Sequence, residues 1–229
     1  KPFDPRLIIK IAPAVAQAAM DSGVAERPLA DMDAYIEKLT QFVYKTNLFM
    51  KPVFSAAKQD RKRVVLTEGE DERVLHATQE IVDGSLAFPI LIGRPAVIQR
   101  RIEKLGLRIR PGVDFELVNN EDDPRYREYW MDYYTLMKRR GVSQELARRE
   151  VRRKTTLIGA LMLRRGEADA MVCGTFGTYD MHMTFVQEVL GLREGCTTAA
   201  AMNALLLPTG NIFIADTYVN ANPTTEQIA

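Results

Sequence analysis

Residues 169–190, DAMVCGTFGTYDMHMTFVQEVL, give the clearest indication of the fold. Its pattern predicts a short apolar strand over residues 170–173, a turn of Gly and Thr residues, and a helix that continues to Leu190. Such a turn presents backbone N–H groups and two threonine hydroxyls at a helix N-terminus, where the helix dipole favours an anion such as a phosphate. The alternative interpretation is that Gly174 and Gly177 only make a tight connection between strand and helix.

Strand and helix patterns alternate on both sides of this stretch. Helices of this length between strands imply parallel pairing through crossovers, so we expect an α/β fold in which helices sandwich a parallel sheet. The predicted strands are residues 64–67, 90–92, 115–118, 170–173 and 212–215. The predicted helices are residues 70–82, 97–105, about 124–141, a Ser143-capped segment to Arg165 with a break near Thr155, and residues 197–207.

The first sixty residues carry helical spacing but no strand. One helix is predicted near residues 7–19, where Pro13 should kink it or divide it in two. A second is predicted over about residues 34–47. We interpret this segment as the tail of a preceding domain followed by a helical connector. Because the chain lacks an initiator Met and Asn222-Pro223 resembles a helix start near its end, the fold is expected to be truncated.

Composition bounds the class of protein. The chain has 229 residues, 46% hydrophobic and 27% charged, with a net charge of +1. This balance is ordinary for a soluble globular protein and favours neither a nucleic-acid nor a membrane partner. Cys173 and Cys196 lack the spacing of a disulfide framework or zinc site, which favours reduced thiols in the cytoplasm. The sequence contains no apolar run long enough to span a bilayer and no signal-peptide pattern.

Charged and histidine residues give weaker signals. Glu68, Glu70 and Asp71 stand at a predicted helix start, where the dipole alone explains them, although they could face a ligand. Neither His nor Cys joins them at a spacing that suits a metal. Of the two histidines, only His182 follows the Gly/Thr turn and could face a ligand. The basic run over residues 138–154 is interrupted by acidic residues, which favours a solvated helix face over a nucleic-acid surface.

Two groups of motifs resemble known families. The segments KPFDPRL at residues 1–7, APAVA at 12–16 and AAMDSGVA at 18–25 resemble the end of the catalytic domain of bacterial NADP-dependent malic enzymes. The segments EGEDER at residues 68–73, GEADA at 166–170 and FIAD at 213–216 resemble the phosphotransacetylase fold. Malic enzymes of the long bacterial type carry both parts in this order. The resemblance divides the chain into a catalytic-domain tail (residues 1–24), a helical connector (25–60) and the first part of a phosphotransacetylase-like domain (61–229).

This resemblance implies a function for the intact protein. It would oxidatively decarboxylate malate to pyruvate with NADP and a divalent metal, Mg or Mn, at sites that precede Lys1. The phosphotransacetylase-like part would regulate that activity by binding acetyl-CoA, contact its own malic enzyme catalytic domain and help to form a homo-oligomer in the cytoplasm. The residues expected to bind acetyl-CoA are Gly174, Thr175, Gly177, Thr178, Tyr179 and Asp180.

Departures from the transferase pattern imply that the acetyl group is not transferred. Two arginines that hold anionic groups in active phosphotransacetylases align here with Met137 and Met183. A thioether has no charge and almost no hydrogen-bonding capacity, so the stabilisation of a charged transition state should be lost. The turn is also about one residue shorter and carries Tyr179 where a small hydroxyl is usual. Two alternatives stay open, namely an active phosphate acetyltransferase and a purely structural oligomerisation module.

Overall fold

The computed structural model describes residues 6–43, 47–207, 210–216, 219–220 and 222–225. Contacts between residues divide the chain into two compact units. The first comprises Lys1–Ser55 with Ala201–Thr217, and the second comprises Ala56–Ala200 with Tyr218–Ala229. The second unit contains the stretch from which the fold was predicted.

Helices form most of the first unit. They are α1 (Arg6–Asp21), α2 (Met32–Val43) and α3 (Asn47–Gln59), the last of which extends into the second unit. α1 continues through Pro13, so this proline does not divide the helix, and the kink given as the alternative stays a prediction. α2 confirms the second predicted helix as far as Val43, and residues 44–46 lie outside the described part of the chain.

The first unit also contains a β-hairpin of β5 (Met202–Leu207) and β6 (Gly210–Ala215). The strands are antiparallel, with Leu205 opposite Ile212. The predicted helix over residues 197–207 is therefore wrong, and the predicted strand 212–215 is a strand but does not belong to the parallel sheet. The helix start predicted at Asn222-Pro223 lies in the described residues 222–225, of which only Thr225 is helical, and residues 226–229 lie outside the described ranges.

A four-stranded parallel sheet organises the second unit. Its strands are β1 (Arg63–Leu66), β2 (Phe88–Ile92), β3 (Glu116–Val118) and β4 (Ala170–Val172), in the spatial order β3-β2-β1-β4. Val65 of β1 lies opposite Ile90 on one side and Met171 on the other. β2 lies beside β1, and β3 lies beside β2 on the same side, whereas β4 lies on the other side of β1. The chain order therefore reverses between β1 and β4.

Helices cover both faces of this sheet and confirm the predicted α/β architecture. Successive residues of a strand point to opposite faces, so Val65 packs into one apolar cluster and Leu66 into the other. The Val65 cluster includes residues of the four helices that lie between residues 126 and 189. The Leu66 cluster includes residues of the two helices that lie between residues 72 and 105. In the described ranges, no helix is long and apolar enough to cross a membrane. The helices are α4 (Glu72–Asp83), α5 (Pro95–Leu105), α6 (Tyr126–Met137), α7 (Gln144–Arg153), α8 (Thr155–Arg164) and α9 (Tyr179–Val189).

One ion pair aligns the beginnings of β1 and β4. The Asp169 carboxylate accepts hydrogen bonds from the Arg63 backbone N–H at 2.8 Å and from its guanidinium at 2.9 Å. In return, the Asp169 N–H donates to the Arg63 carbonyl at 2.9 Å. The guanidinium lowers the pKa of Asp169 to about 2, so the carboxylate stays ionised at neutral pH. This alignment brings the carboxyl ends of the two strands side by side.

Candidate functional site

The loops that follow β1 and β4 meet at the carboxyl edge of the sheet. In open α/β sheets, ligands bind in the crevice outside the strand ends at the point where the strand order reverses. Here that point lies between β1, which ends at Leu66, and β4, which ends at Val172. The Thr67 N–H donates to the Val172 carbonyl at 3.2 Å and continues the pairing past both strands. The predicted Gly/Thr turn is therefore at the position where the topology expects a ligand.

Glu68 is the buried charge that holds this turn. Only 5% of its surface is exposed. Its carboxylate accepts from the Thr67 hydroxyl at 2.8 Å, and across the crevice from the Gly174 N–H at 3.4 Å and the Thr175 hydroxyl at 3.3 Å. A buried carboxylate is tolerated only when it is paired or hydrogen-bonded. Glu68 thus links the loop after β1 to the loop after β4, a role that the sequence did not reveal.

His182, in the first turns of α9, is buried and bonded through both ring nitrogens. Its Nε2 lies 2.8 Å from the Phe176 carbonyl oxygen, which can only accept, so Nε2 carries the hydrogen. Its Nδ1 lies 2.7 Å from the buried hydroxyl of Thr156, which donates to it when the imidazole is neutral. Glu68 Oε1 lies 4.0 Å from the same nitrogen. His182 therefore fixes the turn to α8 as well as facing the site.

The turn itself needs glycine at Gly177. This residue has φ +92°, and a Cβ built on it would lie 2.6 Å from Met181 Cε and 3.2 Å from His182 Nε2. Thr178 then caps α9 by accepting from the Met181 N–H at 3.4 Å. The strand, Gly/Thr turn and helix predicted over residues 170–190 are confirmed.

The hydrogen bonds of the turn do not favour a phosphate there. The Gly174 N–H and the Thr175 hydroxyl already donate to Glu68, and the Thr178 oxygen serves as the helix cap. The Glu68 charge would also repel an anion. The Arg73 guanidinium adds an outer support by donating to the Thr175 carbonyl at 2.9 Å. Beside the turn lies a cavity.

This cavity has a volume of about 280 Å³ and is bounded by the turn and one side of α9. Of the six residues predicted to bind a ligand, Gly174, Gly177, Thr178 and Tyr179 line it. Thr175 instead bonds Glu68, and Asp180 is not part of the wall. The other lining residues are Cys173, His182, Met183 and Val186.

The two methionines that are predicted to replace arginines of active transferases are in different surroundings. Met183 lines the cavity, and its sulfur lies 4.0 Å from the Tyr179 hydroxyl. Met137 is only 4% exposed and packs in the apolar cluster of the Val65 face. An uncharged residue at position 137 is therefore explained by packing, and only Met183 bears on ligand binding.

The Cys173 thiol provides a test of this geometry. Burial, and secondarily the nearby Glu68 carboxylate, raise the pKa of the Cys173 thiol because both disfavour the thiolate. Iodoacetamide reacts with the thiolate, so Cys173 alkylation should reach half its maximal rate above about pH 8.5, the ordinary value for cysteine. In Glu68→Gln the profile should move to lower pH, since the charge is removed while burial remains. Peptide-resolved mass spectrometry across pH measures both profiles.

Cys196 is the internal control for this experiment, because it is exposed and does not line the cavity. Its alkylation rate should be the same in the wild-type chain and in Glu68→Gln. An unchanged Cys173 profile in the variant would show that the Glu68 charge does not act on the thiol.

Comparison with known proteins places the chain in a family. The sequence profile of the phosphate acetyl/butaryl transferase family matches residues 48–229. The chain is 69% and 67% identical over all 229 residues to proteins named NADP-dependent malic enzyme in Salmonella typhimurium and Escherichia coli, and it spans 30% of the length of each. It is 32% identical over 192 residues to a phosphate acetyltransferase of Nitratidesulfovibrio vulgaris, which is 84% of this chain and 26% of that protein.

Solved structures agree with this assignment at the level of the fold. A phosphotransacetylase from Streptococcus pyogenes superposes with a TM-score of 0.68 at 20% identity, over 78% of this chain and 54% of that one. The EutD phosphotransacetylase from Staphylococcus aureus has a TM-score of 0.64 at the same identity and coverage. The profile match covers most of the chain, and the chain therefore belongs to the phosphate acetyl/butaryl transferase family.

Proposed function

We propose that this chain is the acetyl-CoA-binding, regulatory part of an NADP-dependent malic enzyme and that it does not transfer the acetyl group. The observation that carries the proposal is the alignment of residues 1–47, which precede the family match. The malic enzymes align with the whole chain. The phosphate acetyltransferases of Nitratidesulfovibrio vulgaris and Corynebacterium glutamicum align with only 84% and 79% of it. The first residues thus favour the malic enzyme context over that of a free-standing transferase.

In this proposal the intact protein converts malate and NADP to pyruvate, CO2 and NADPH in the cytoplasm. NADP and the divalent metal, Mg or Mn, are bound outside this chain. The chain would contact its own catalytic domain and a second copy of itself, and acetyl-CoA bound here would alter malate turnover through those contacts.

The cavity suits the acetyl thioester end of acetyl-CoA better than its phosphates. Met183 and Val186 provide an apolar wall, while the Gly174 N–H and the Thr175 hydroxyl donate to Glu68, whose negative charge disfavours an anion. Its 280 Å³ is at the small end of the roughly 300–1,000 Å³ of sites that enclose drug-sized ligands. The acetyl group and adjoining pantetheine would therefore enter the cavity, and the nucleotide would remain outside it.

An active phosphate acetyltransferase, which makes acetyl phosphate and CoA from acetyl-CoA and phosphate, is the second candidate. The family favours it, and the burial of Met137 removes one of the two arguments against it. The remaining argument is Met183, which puts an uncharged sulfur on the cavity wall. Phosphate would also meet the Glu68 carboxylate, which disfavours a second anion at this turn.

Alkylation of Cys173 tests acetyl-CoA binding directly. With acetyl-CoA at about ten times its Kd, only about a tenth of the cavities are free, so Cys173 should react about tenfold more slowly. The rate for Cys196 should not change, because that residue is outside the cavity wall. Unaltered Cys173 reactivity at millimolar acetyl-CoA would rule out binding at this cavity.

Two activity measurements separate the candidates. In the malic enzyme that contains this chain, saturating acetyl-CoA should change the rate of NADPH formation from malate, and a constant rate would contradict a regulatory role. Formation of acetyl phosphate at the rate of a dedicated enzyme would instead establish the transferase. An oligomer that depends on this chain, with no heat of acetyl-CoA binding, would identify the structural module.

A further inference from the structure

A second candidate site is an open groove of about 900 Å³ between α6 and α7. It shares no residue with the cavity beside α9. Residues of α6 form one wall, and four arginines of α7 form the other. Glu145 is the one carboxylate among the ten residues that line the groove. Its lining arginines are Arg127, Arg148, Arg149, Arg152 and Arg153.

Several arginines of the same unit have carboxylate partners, which four of the five groove arginines lack among the described residues. Arg94, for example, pairs with Glu70 at 2.8 Å, and Arg108 pairs with Asp83 at 2.7 Å. Within the described ranges, only one groove arginine has a carboxylate partner, namely Arg149, which lies 3.7 Å from its sequence neighbour Glu150. The groove therefore concentrates positive charge that the protein itself does not balance.

The spacing along α7 makes this concentration unfavourable without a ligand. Arg148 and Arg152, and likewise Arg149 and Arg153, are four residues apart, where like charges destabilise a helix. The set spans six residues, so its two ends lie only about 7.5 Å apart along the helix axis. An anion in the groove would relieve the repulsion between these side chains.

Aromatic rings hold two of the guanidinium groups in place. The Arg148 guanidinium lies 4.2 Å from the centre of the Trp130 ring, and that of Arg152 lies 4.9 Å from the centre of the Tyr126 ring. Trp130 is otherwise buried, with 9% of its surface exposed. Arginine thus covers one face of each ring, and the groove offers N–H donors for an anion.

We propose that this groove binds a compact polyphosphate group. Arginine donates two parallel hydrogen bonds to a phosphate, and several phosphates in a chain place several charges within the short length of the arginine set. An extended acidic peptide is a poorer match, because its side chains on one side are about 6.6 Å apart. Only about two of its carboxylates would therefore fit within the length of the arginine set. If this surface were only the solvated helix face predicted from the sequence, these arginines would bind no ligand.

Titration of the 229-residue chain with inorganic triphosphate tests the proposal. Trp130 is the single tryptophan of the chain, so its fluorescence reports on the groove, and calorimetry gives the affinity. The double variant Arg149→Gln/Arg153→Gln should bind triphosphate at least about tenfold more weakly, since each lost contact is a charge-assisted hydrogen bond. These two arginines do not stack on the rings, and glutamine has a similar helix propensity. Circular dichroism checks that α7 is retained.

The matched control is Lys138→Gln/Arg139→Gln, which removes the same charge from exposed residues next to α6 that do not line the groove. It should change the affinity less than twofold. Equal losses in the two double variants, or no binding heat at millimolar triphosphate, would overturn the proposal. ATP should bind no more tightly than triphosphate. A clear preference for ATP or for a single-stranded oligonucleotide would replace the proposal with base recognition or nucleic-acid binding.

Discussion

Replacing Glu68 with alanine is expected to lower the free energy of unfolding by about 2 to 4 kcal/mol. The change leaves the Thr67 hydroxyl, the Gly174 N–H and the Thr175 hydroxyl without their shared acceptor. Thr67 is fully buried, and a buried donor without a partner costs about 1–3 kcal/mol, whereas the two donors of the turn are partly solvated and lose less. The total loss of stability should be smaller than the sum of the costs of the three donors. Removal of a buried carboxylate also removes its desolvation penalty, and water can enter the space.

Urea unfolding followed by Trp130 fluorescence measures this loss. Glu68→Gln is the matched variant, because it retains the side-chain volume and one acceptor oxygen while removing the charge. It should lose less than half as much stability as Glu68→Ala. In Glu68→Ala, the loop after β4 loses its hydrogen bonds to the Glu68 side chain, so the turn should shift and acetyl-CoA should also fail to protect Cys173. A loss below about 1 kcal/mol would mean that these hydrogen bonds do not hold the turn.

The α/β core was predictable because its signals are local. Ser143 caps α7 as its residue type suggests, and Gly106 ends α5 with φ +65°. The apolar runs of β1 and β2 have no alternation because both faces of the sheet are covered. The apolar spacing, the capping residues and the glycines that end helices therefore predicted the same elements. These elements lie within a few residues of their predicted bounds.

The β5–β6 hairpin was missed because its determinant is not local. Ala and Leu, which are frequent in residues 197–207, are good helix formers. A short apolar run cannot be assigned to helix or strand from its periodicity. Residues 202–207 form a strand because they pair with β6, where Leu205 lies opposite Ile212. Pairing with a second apolar segment overrides the propensity of the first.

The candidate site was predictable in outline but not in its supports. The Gly/Thr turn has a local signature, whereas the Glu68 contact with Gly174 joins residues 106 positions apart. The Thr156 hydroxyl that bonds His182 likewise belongs to another helix. Met137 did carry a usable signal. It follows Tyr129 and Tyr133 at four-residue intervals, the spacing of a buried helix face, and all three are at most 4% exposed.

Replacing Gly159 with valine is the second change for which we expect a large effect. Residues 156–162 of α8 are all buried. A Cβ on Gly159 would lie 2.6 Å from Met171 Sδ of β4 and 2.8 Å from Thr67 Cγ2, beside β1. Met171 can move, but Thr67 is β-branched, fully buried and bonded to Glu68. We expect a loss of about 3 kcal/mol, because overpacking of a dense core outweighs the roughly 0.5 kcal/mol that leaving glycine returns to a helix.

The control for this change is Ala77→Val on α4, which introduces valine on an exposed helix face and should change stability by less than about 0.5 kcal/mol. The effect of Gly159→Val should also reach the site, because a displaced Thr67 moves the adjacent Glu68 and weakens its bonds to the turn. Cys173 should then react faster with iodoacetamide in folded Gly159→Val than in the wild-type chain. Equal stability in the two valine variants would contradict the close approach of α8 to the sheet. A destabilised variant with unchanged Cys173 reactivity would confine the effect to the core, because α8 would then not position the turn through Thr67.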